Sequence, residues 1–181
     1  MVQAWIMDQE DSDQRLPHKT DHCLTLEELK TVGVRYLKLN VDDEAALNAY
    51  RQENGYNYKD ECTVAEGKLE NYDQKIKAFF QEHLHADPEV RFIVDGSGYF
   101  DVRDEQDRWI RIFVEKGDLL EIPAGIYHRF TVDTNDYIKA VRLFAGEPVW
   151  TPINRPEGDQ HATRRAYLQK YGKEVKCGEM G

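Results

Sequence analysis

Three histidines and one glutamate carry the densest chemistry in this chain, because their types and spacing suit a divalent metal. His83, His85 and Glu89 fall within seven residues of EHLHADPEVRFIVDG (82–96), and His128 closes GDLLEIPAGIYH (117–128). Imidazole nitrogen and carboxylate oxygen together suit first-row divalent ions. Residues two apart on a strand point the same way, so His83 and His85 share a side. Ala86-Asp87-Pro88 can fold the chain back and return Glu89 to that side, while Pro123 and Gly125 shape a tight turn that aims His128 inward. Four ligands on an octahedral ion leave two positions open, unlike a closed tetrahedral structural site. Two adjacent open positions can chelate a substrate through two oxygens. The remaining histidines, His18, His22 and His161, fit no such spacing and read as surface residues.

Strand parity extends the constellation. Arg91 shares the side of Glu89, and a buried cation needs an anion. Either it steadies a negatively charged, metal-bound substrate or it forms a structural salt bridge with an interior carboxylate. Phe130 shares the side of His128 and can wall an apolar pocket or simply pack in the core. Gly96 and Gly98 read as a lone G-x-G in a hairpin turn, not a phosphate loop, because no helix follows.

Elements that could position these residues are legible in order. Val2–Met7 can pair as a short strand, and 8–17 reads as loop. Thr25-Leu-Glu-Glu28 fits a capping box that starts a short helix ending at Gly33. Val34–Leu39 reads as a strand, and Asp42–Asn54 as a helix stopped by Gly55. Tyr56–Leu69 has a weak pattern that suits helix or irregular structure. Asn71 can cap a helix through Phe80 that delivers the chain to His83. Short strands follow at Val90–Val94, Tyr99–Arg103, Trp109–Val114, Leu119–Ile122, Arg129–Val132 and Ile138–Phe144, separated by turn signals. TPINRPEGD reads as loop, Arg164–Lys170 as a terminal helix, and Lys173–Gly181 as a frayed tail. Six short strands preceded by helices predict an antiparallel barrel or sandwich with a helical elaboration.

The chain has 181 residues, enough for one domain with a sizeable core. Its formal charge of −10 and lack of a basic cluster argue against nucleic-acid binding. The start has no basic segment and too short an apolar run for a secretory signal, and no run approaches the length of a membrane span. A cytoplasmic protein, also able to enter the nucleus, is expected, with a monomer as the default. Cys23, Cys62 and Cys177 are odd in number and far apart, so reduced thiols are expected.

The two ligand-bearing segments match the paired cupin motifs at Gly117, Pro123, Gly125 and His128, although the asparagine often found four residues later is Val132 here. Over most of its length the chain more closely resembles the acireductone dioxygenases of methionine salvage. The likeness is carried by VQAWIMD, FFQEHLHADPEVRFIVDGSGYFDVRD, WIRI, EKGDLLEIPAGIYHRF and LFAGEPVWTPINRP. The resemblance implies a mainly β fold: a cupin double-stranded β-helix barrel with several helices, mostly N-terminal to it. One cupin-type unit over 1–181 follows, with a barrel core at about 82–150, the elaboration at about 25–81 and a tail from about 151.

The resemblance further implies one Fe(II) ion held by His83, His85, Glu89 and His128. Dioxygen would add to 1,2-dihydroxy-5-(methylsulfanyl)pent-1-en-3-one to give 4-methylsulfanyl-2-oxobutanoate and formate. With Ni(II) the products would be 3-methylsulfanylpropanoate, formate and carbon monoxide. Arg91 would serve as a catalytic residue, and Phe130 and Trp150 would receive the methylsulfanyl tail. Some members carry an acid directly before the ligand glutamate. That position is Pro88 here, so the proton acceptor has no assignment. The competing readings are another cupin dioxygenase or isomerase, or a metal-holding binding protein without turnover.

Overall fold

The computed structural model describes residues 1–172, so the expected frayed tail and Cys177 lie outside the described residues. In chain order the elements are β1 (Gln3–Met7), β2 (Lys19–Leu24), α1 (Leu26–Thr31), β3 (Arg35–Lys38), α2 (Glu44–Asn54), β4 (Tyr58–Ala65) and α3 (Tyr72–Phe80). They continue with β5 (His83–Leu84), β6 (Glu89–Arg103), β7 (Trp109–Glu115), β8 (Asp118–Ile122), β9 (His128–Val132), β10 (Tyr137–Phe144), β11 (Ile153–Asn154), a 3-10 turn (Glu157–Gln160) and α4 (Ala162–Tyr171).

Local chemistry accounts for the helices. Thr25 and Glu28 form the expected capping box: the Glu28 amide donates to Thr25 Oγ1 (3.2 Å) and the Thr25 amide to Glu28 Oε2 (2.7 Å). The helix then drives Leu29 into the core. Asp43 caps α2 through the Ala46 amide, and Gly55 ends it in the left-handed region at φ +73°. Asn71 does precede α3, but at φ +54° and with no capping hydrogen bond from its side chain. Its contribution is a left-handed backbone, which asparagine tolerates.

Every strand pairing is antiparallel, and β6 organises them. The first half of β6 lies between β8 and β10, and its second half between β7 and β9. The two strands expected at 90–94 and 99–103 are therefore one strand of 15 residues, and Asp95–Gly98 is a bend rather than a hairpin. The physical cause is a bulge. Ile93 pairs with Ala140 and Asp95 with Lys139, leaving Val94 without a partner. One extra residue swaps the faces of a strand. Before the bend Glu89, Arg91 and Ile93 face the interior cavity, while after it Phe100 and Val102 face inward.

A second correction concerns 56–69, where the weak pattern hides β4, paired along its full length with β10. The alternation is faint because on the cavity side of β4 the aliphatic Val64 is preceded by Asp60 and Cys62. Two apolar clusters complete the packing. One lies inside, with Ile93, Phe100, Ile112, Leu120 and Ile122. The other sits beneath α2, where Leu47 and Tyr50 cover Val90, Phe92 and Leu119. No helix among the described residues is long and apolar enough to cross a membrane.

Candidate metal centre

His83 and His128 face each other across β5 and β9 as register partners. The bend at 86–87 returns the chain to Glu89, at the first position of β6. One donor atom from each of His83, His85, Glu89 and His128 lies within 4.8 Å of the others. Glu89 Oε2 is 3.2 Å from His85 Nε2 and 3.1 Å from His128 Nε2. The outer nitrogens are all engaged by backbone: the Nδ1 of His83 lies 2.6 Å from the Gln81 carbonyl, that of His85 3.0 Å from Thr151 and that of His128 3.0 Å from Ile126. A carbonyl only accepts, so each Nδ1 carries hydrogen; a ring in its neutral form then turns the Nε2 lone pair toward the centre, whereas a protonated ring donates from Nε2 to Glu89 instead. The donor set fits a first-row divalent ion.

Electrostatics differ from ring to ring. Burial, reinforced by the neighbouring His128, pushes His83 down to about 4 and favours the neutral, ligating form. Burial by itself would raise Glu89, yet Arg91 and hydrogen bonds from His128 and His85 hold it well below the carboxylate range. Burial opposes charge on His85 too, but its hydrogen bond to Glu89 prevails and raises it. Arg91 Nη2 lies 3.3 Å from Glu89 Oε1, so the interior salt bridge weighed from parity exists.

A cavity of about 320 Å³ opens from these residues. Arg91, Phe130 and Trp150 all line it. Phe130 packs against Phe79 (6.0 Å) and Phe100 (4.9 Å). Trp150, in the loop between β10 and β11, lies edge-on to Phe144 at 5.3 Å. Sequence reasoning missed Ile93, Phe100, Ile138, Cys62 and Arg142, which also reach the cavity. Ile93 was recoverable from its parity with Glu89. Phe100 was not, because the bulge reverses parity before it.

The other histidines stay outside the centre, though not all lie on the surface. His18 is buried, with Nδ1 2.8 Å from Asp8 Oδ1 and Nε2 2.9 Å from the Asp13 carbonyl, tying loop 8–18 to itself. His161 accepts from the Thr163 amide (3.2 Å) and so caps α4. His22 is exposed, and Cys23 and Cys62 are free thiols.

Beside the site, Glu82 fixes the two-residue strand that carries His83. Arg103 grips it at 2.9 and 3.0 Å and Arg155 at 2.8 Å. Burial would raise this carboxyl, but the two guanidiniums outweigh it and leave the pKa below its ordinary 4.5. A depressed carboxyl contributes stability that is complete above the unfolded value and is lost as pH falls through the folded one. Metal-free protein is therefore expected to weaken in urea between about pH 5 and 3. Glu82→Gln should cost about 1–3 kcal/mol at pH 7 and flatten that decline. Identical slopes for the two proteins would remove Glu82 from the account.

A family model described as the ARD/ARD′ family matches residues 3–152. An acireductone dioxygenase of Branchiostoma floridae is 57% identical over 176 residues, covering 95% of this chain and 98% of that protein. One from Xenopus tropicalis is 53% identical over 174 residues, covering 93% and 97%. Among solved structures, an acireductone dioxygenase from Bacillus anthracis with a cadmium ion in its active centre has a TM-score of 0.65 at 26% identity. That match covers 84% of this chain and 98% of the other.

Proposed function

This chain belongs to the ARD/ARD′ family of acireductone dioxygenases, and from that premise we propose that His83, His85, Glu89 and His128 hold one Fe(II) ion. The observation that carries this reading is the convergence of their four donor atoms within 4.8 Å. Bound there, the ion supplies Lewis-acid and templating chemistry to the substrate and dioxygen. Arg91, already paired with Glu89, offers its charge to the anionic enediolate. The apolar wall at Phe130 receives the methylsulfanyl tail, and Trp150 covers it from the loop side.

Pro88 supplies no proton acceptor, and Asp87 does not line the cavity. Among the described residues that do, the sole carboxylate is Glu89 itself, so none of them offers a separate carboxylate base in the cavity. We read the protein as a monomer of the cytoplasm or nucleus that takes acireductone and dioxygen as its small-molecule partners. The donor set also admits Ni(II), which binds such ligands more tightly than Fe(II), and the two metals are read as directing different cleavages.

The test is product analysis on protein loaded with one metal at a time. With Fe(II), dioxygen uptake is expected to yield 4-methylsulfanyl-2-oxobutanoate and formate in equal amounts, without carbon monoxide. With Ni(II), carbon monoxide, formate and 3-methylsulfanylpropanoate are expected. Both product sets contain all atoms of one substrate and one dioxygen. The same products from both forms would reject control by the metal.

A further inference from the structure

A row of charges crosses three strands beside the cavity. In register, Asp60 on β4 pairs with Arg142 on β10, and Arg142 pairs with Arg91 on β6. Like charges directly opposite each other destabilise a sheet, so two adjacent arginines require compensation. Arg91 obtains it from Glu89, a carboxylate that we assign to the metal as well. Arg142 obtains it from Asp60, which grips Nε at 2.7 Å and Nη2 at 2.5 Å. Tyr58 donates to the same carboxylate at 2.8 Å. That grip occupies one edge of the guanidinium. Among the described residues no partner meets Nη1, and Arg142 lines the cavity. Both guanidiniums also lie against one ring, Arg142 at 4.4 Å and Arg91 at 5.2 Å from the centroid of Trp150.

We propose that Asp60 is a positioning residue for anion binding: by clamping Arg142 edge-on, it presents Nη1 together with Arg91 to the negatively charged substrate and keeps Trp150 against both. The proposal rests on the reading of the cavity as the acireductone site. A bidentate carboxylate fixes both the direction and the plane of a guanidinium, whereas a loose Arg142 would move away from Arg91 by repulsion. Asp60 itself does not line the cavity, so it acts through Arg142. Its carboxyl is held below the usual range, chiefly by that arginine.

The experiment is a double-mutant cycle read by anaerobic binding of acireductone to metal-loaded protein, alongside steady-state kinetics. Asp60→Asn is expected to raise Kd and KM about tenfold, a loss of about 1.4 kcal/mol. Metal content should be unchanged and kcat should stay within about threefold. Asp60→Glu should recover most of the binding. In an Arg142→Gln background, Asp60→Asn should add nothing further, since the two residues act as one unit. A Kd within twofold of the parent, a fall confined to kcat, or a full Asp60→Asn effect that persists without Arg142 would each overturn the proposal. Should Asp60→Asn fail to fold, Arg142→Gln by itself decides: unchanged Kd overturns the role, and a tenfold rise supports it. A parent protein that binds no acireductone would remove the reading of the cavity instead, and the proposal with it.

Discussion

Alanine in place of Glu89 or His128 is expected to strip the metal and abolish dioxygen uptake together, but for reasons that separate in the metal-free protein. Losing a mere hydrogen-bond partner of a ligand costs about 10- to 100-fold in metal affinity, and losing the ligand itself costs more. His128→Ala leaves Glu89 and Arg91 paired at 3.3 Å, so its metal-free fold should survive with a moderate cavity penalty. Glu89→Ala leaves Arg91 buried without its carboxylate, which is expected to cost about 3–5 kcal/mol of stability besides the metal. Metal analysis after dialysis and denaturant unfolding of both variants would separate the two effects. His22→Ala, at an exposed position, should change neither. Stoichiometric metal retained in Glu89→Ala and His128→Ala would refute the ligand set.

The second large effect is predicted at the bend of β6. Gly96 adopts φ +71°, and a Cβ there would collide with the Tyr137 carbonyl oxygen and come within 2.9 Å of Ile138 Cα. Neither obstacle is a movable side-chain end. Strain and overpacking add, so Gly96→Val should cost about 4 kcal/mol or more. For a chain of this size that lowers the melting temperature by about 8–16 °C. Gly55 provides the comparison, with nearly the same φ of +73° but nothing within 4 Å. Gly55→Ala should cost only about 1 kcal/mol. Similar losses in thermal melts of the two variants would show that close packing at the bend adds nothing to backbone strain.

Gly96 also marks where sequence reasoning met its limit. Asp-Gly-Ser-Gly is a strong turn signal, and the hairpin expected there was the wrong use of it. Glycine serves equally a reversal of the chain and a sharp bend within a strand. Which one forms is decided by whether β10 and β8, then β7 and β9, are present to pair with the two halves of β6. Strand β4 escaped notice for a related reason. Its inward charge, Asp60, makes sense only beside Arg142, 82 residues away. His18 likewise gives no local sign of burial, because its cover is the loop wrapped around it.

By itself the sequence determined the donor atoms, their spacing on two short segments, the start of α1, the stop of α2 and the parity that placed Arg91 beside Glu89. Those properties depend on residues a few positions apart, where the periods of strand and helix and the chemistry of caps hold in any context. Only the tertiary structure decided which side chains complete the cavity, where parity reverses and how Arg142 is held. Those outcomes depend on strand pairing between distant segments, and a one-residue bulge at Val94 is enough to exchange every inward and outward side chain beyond it.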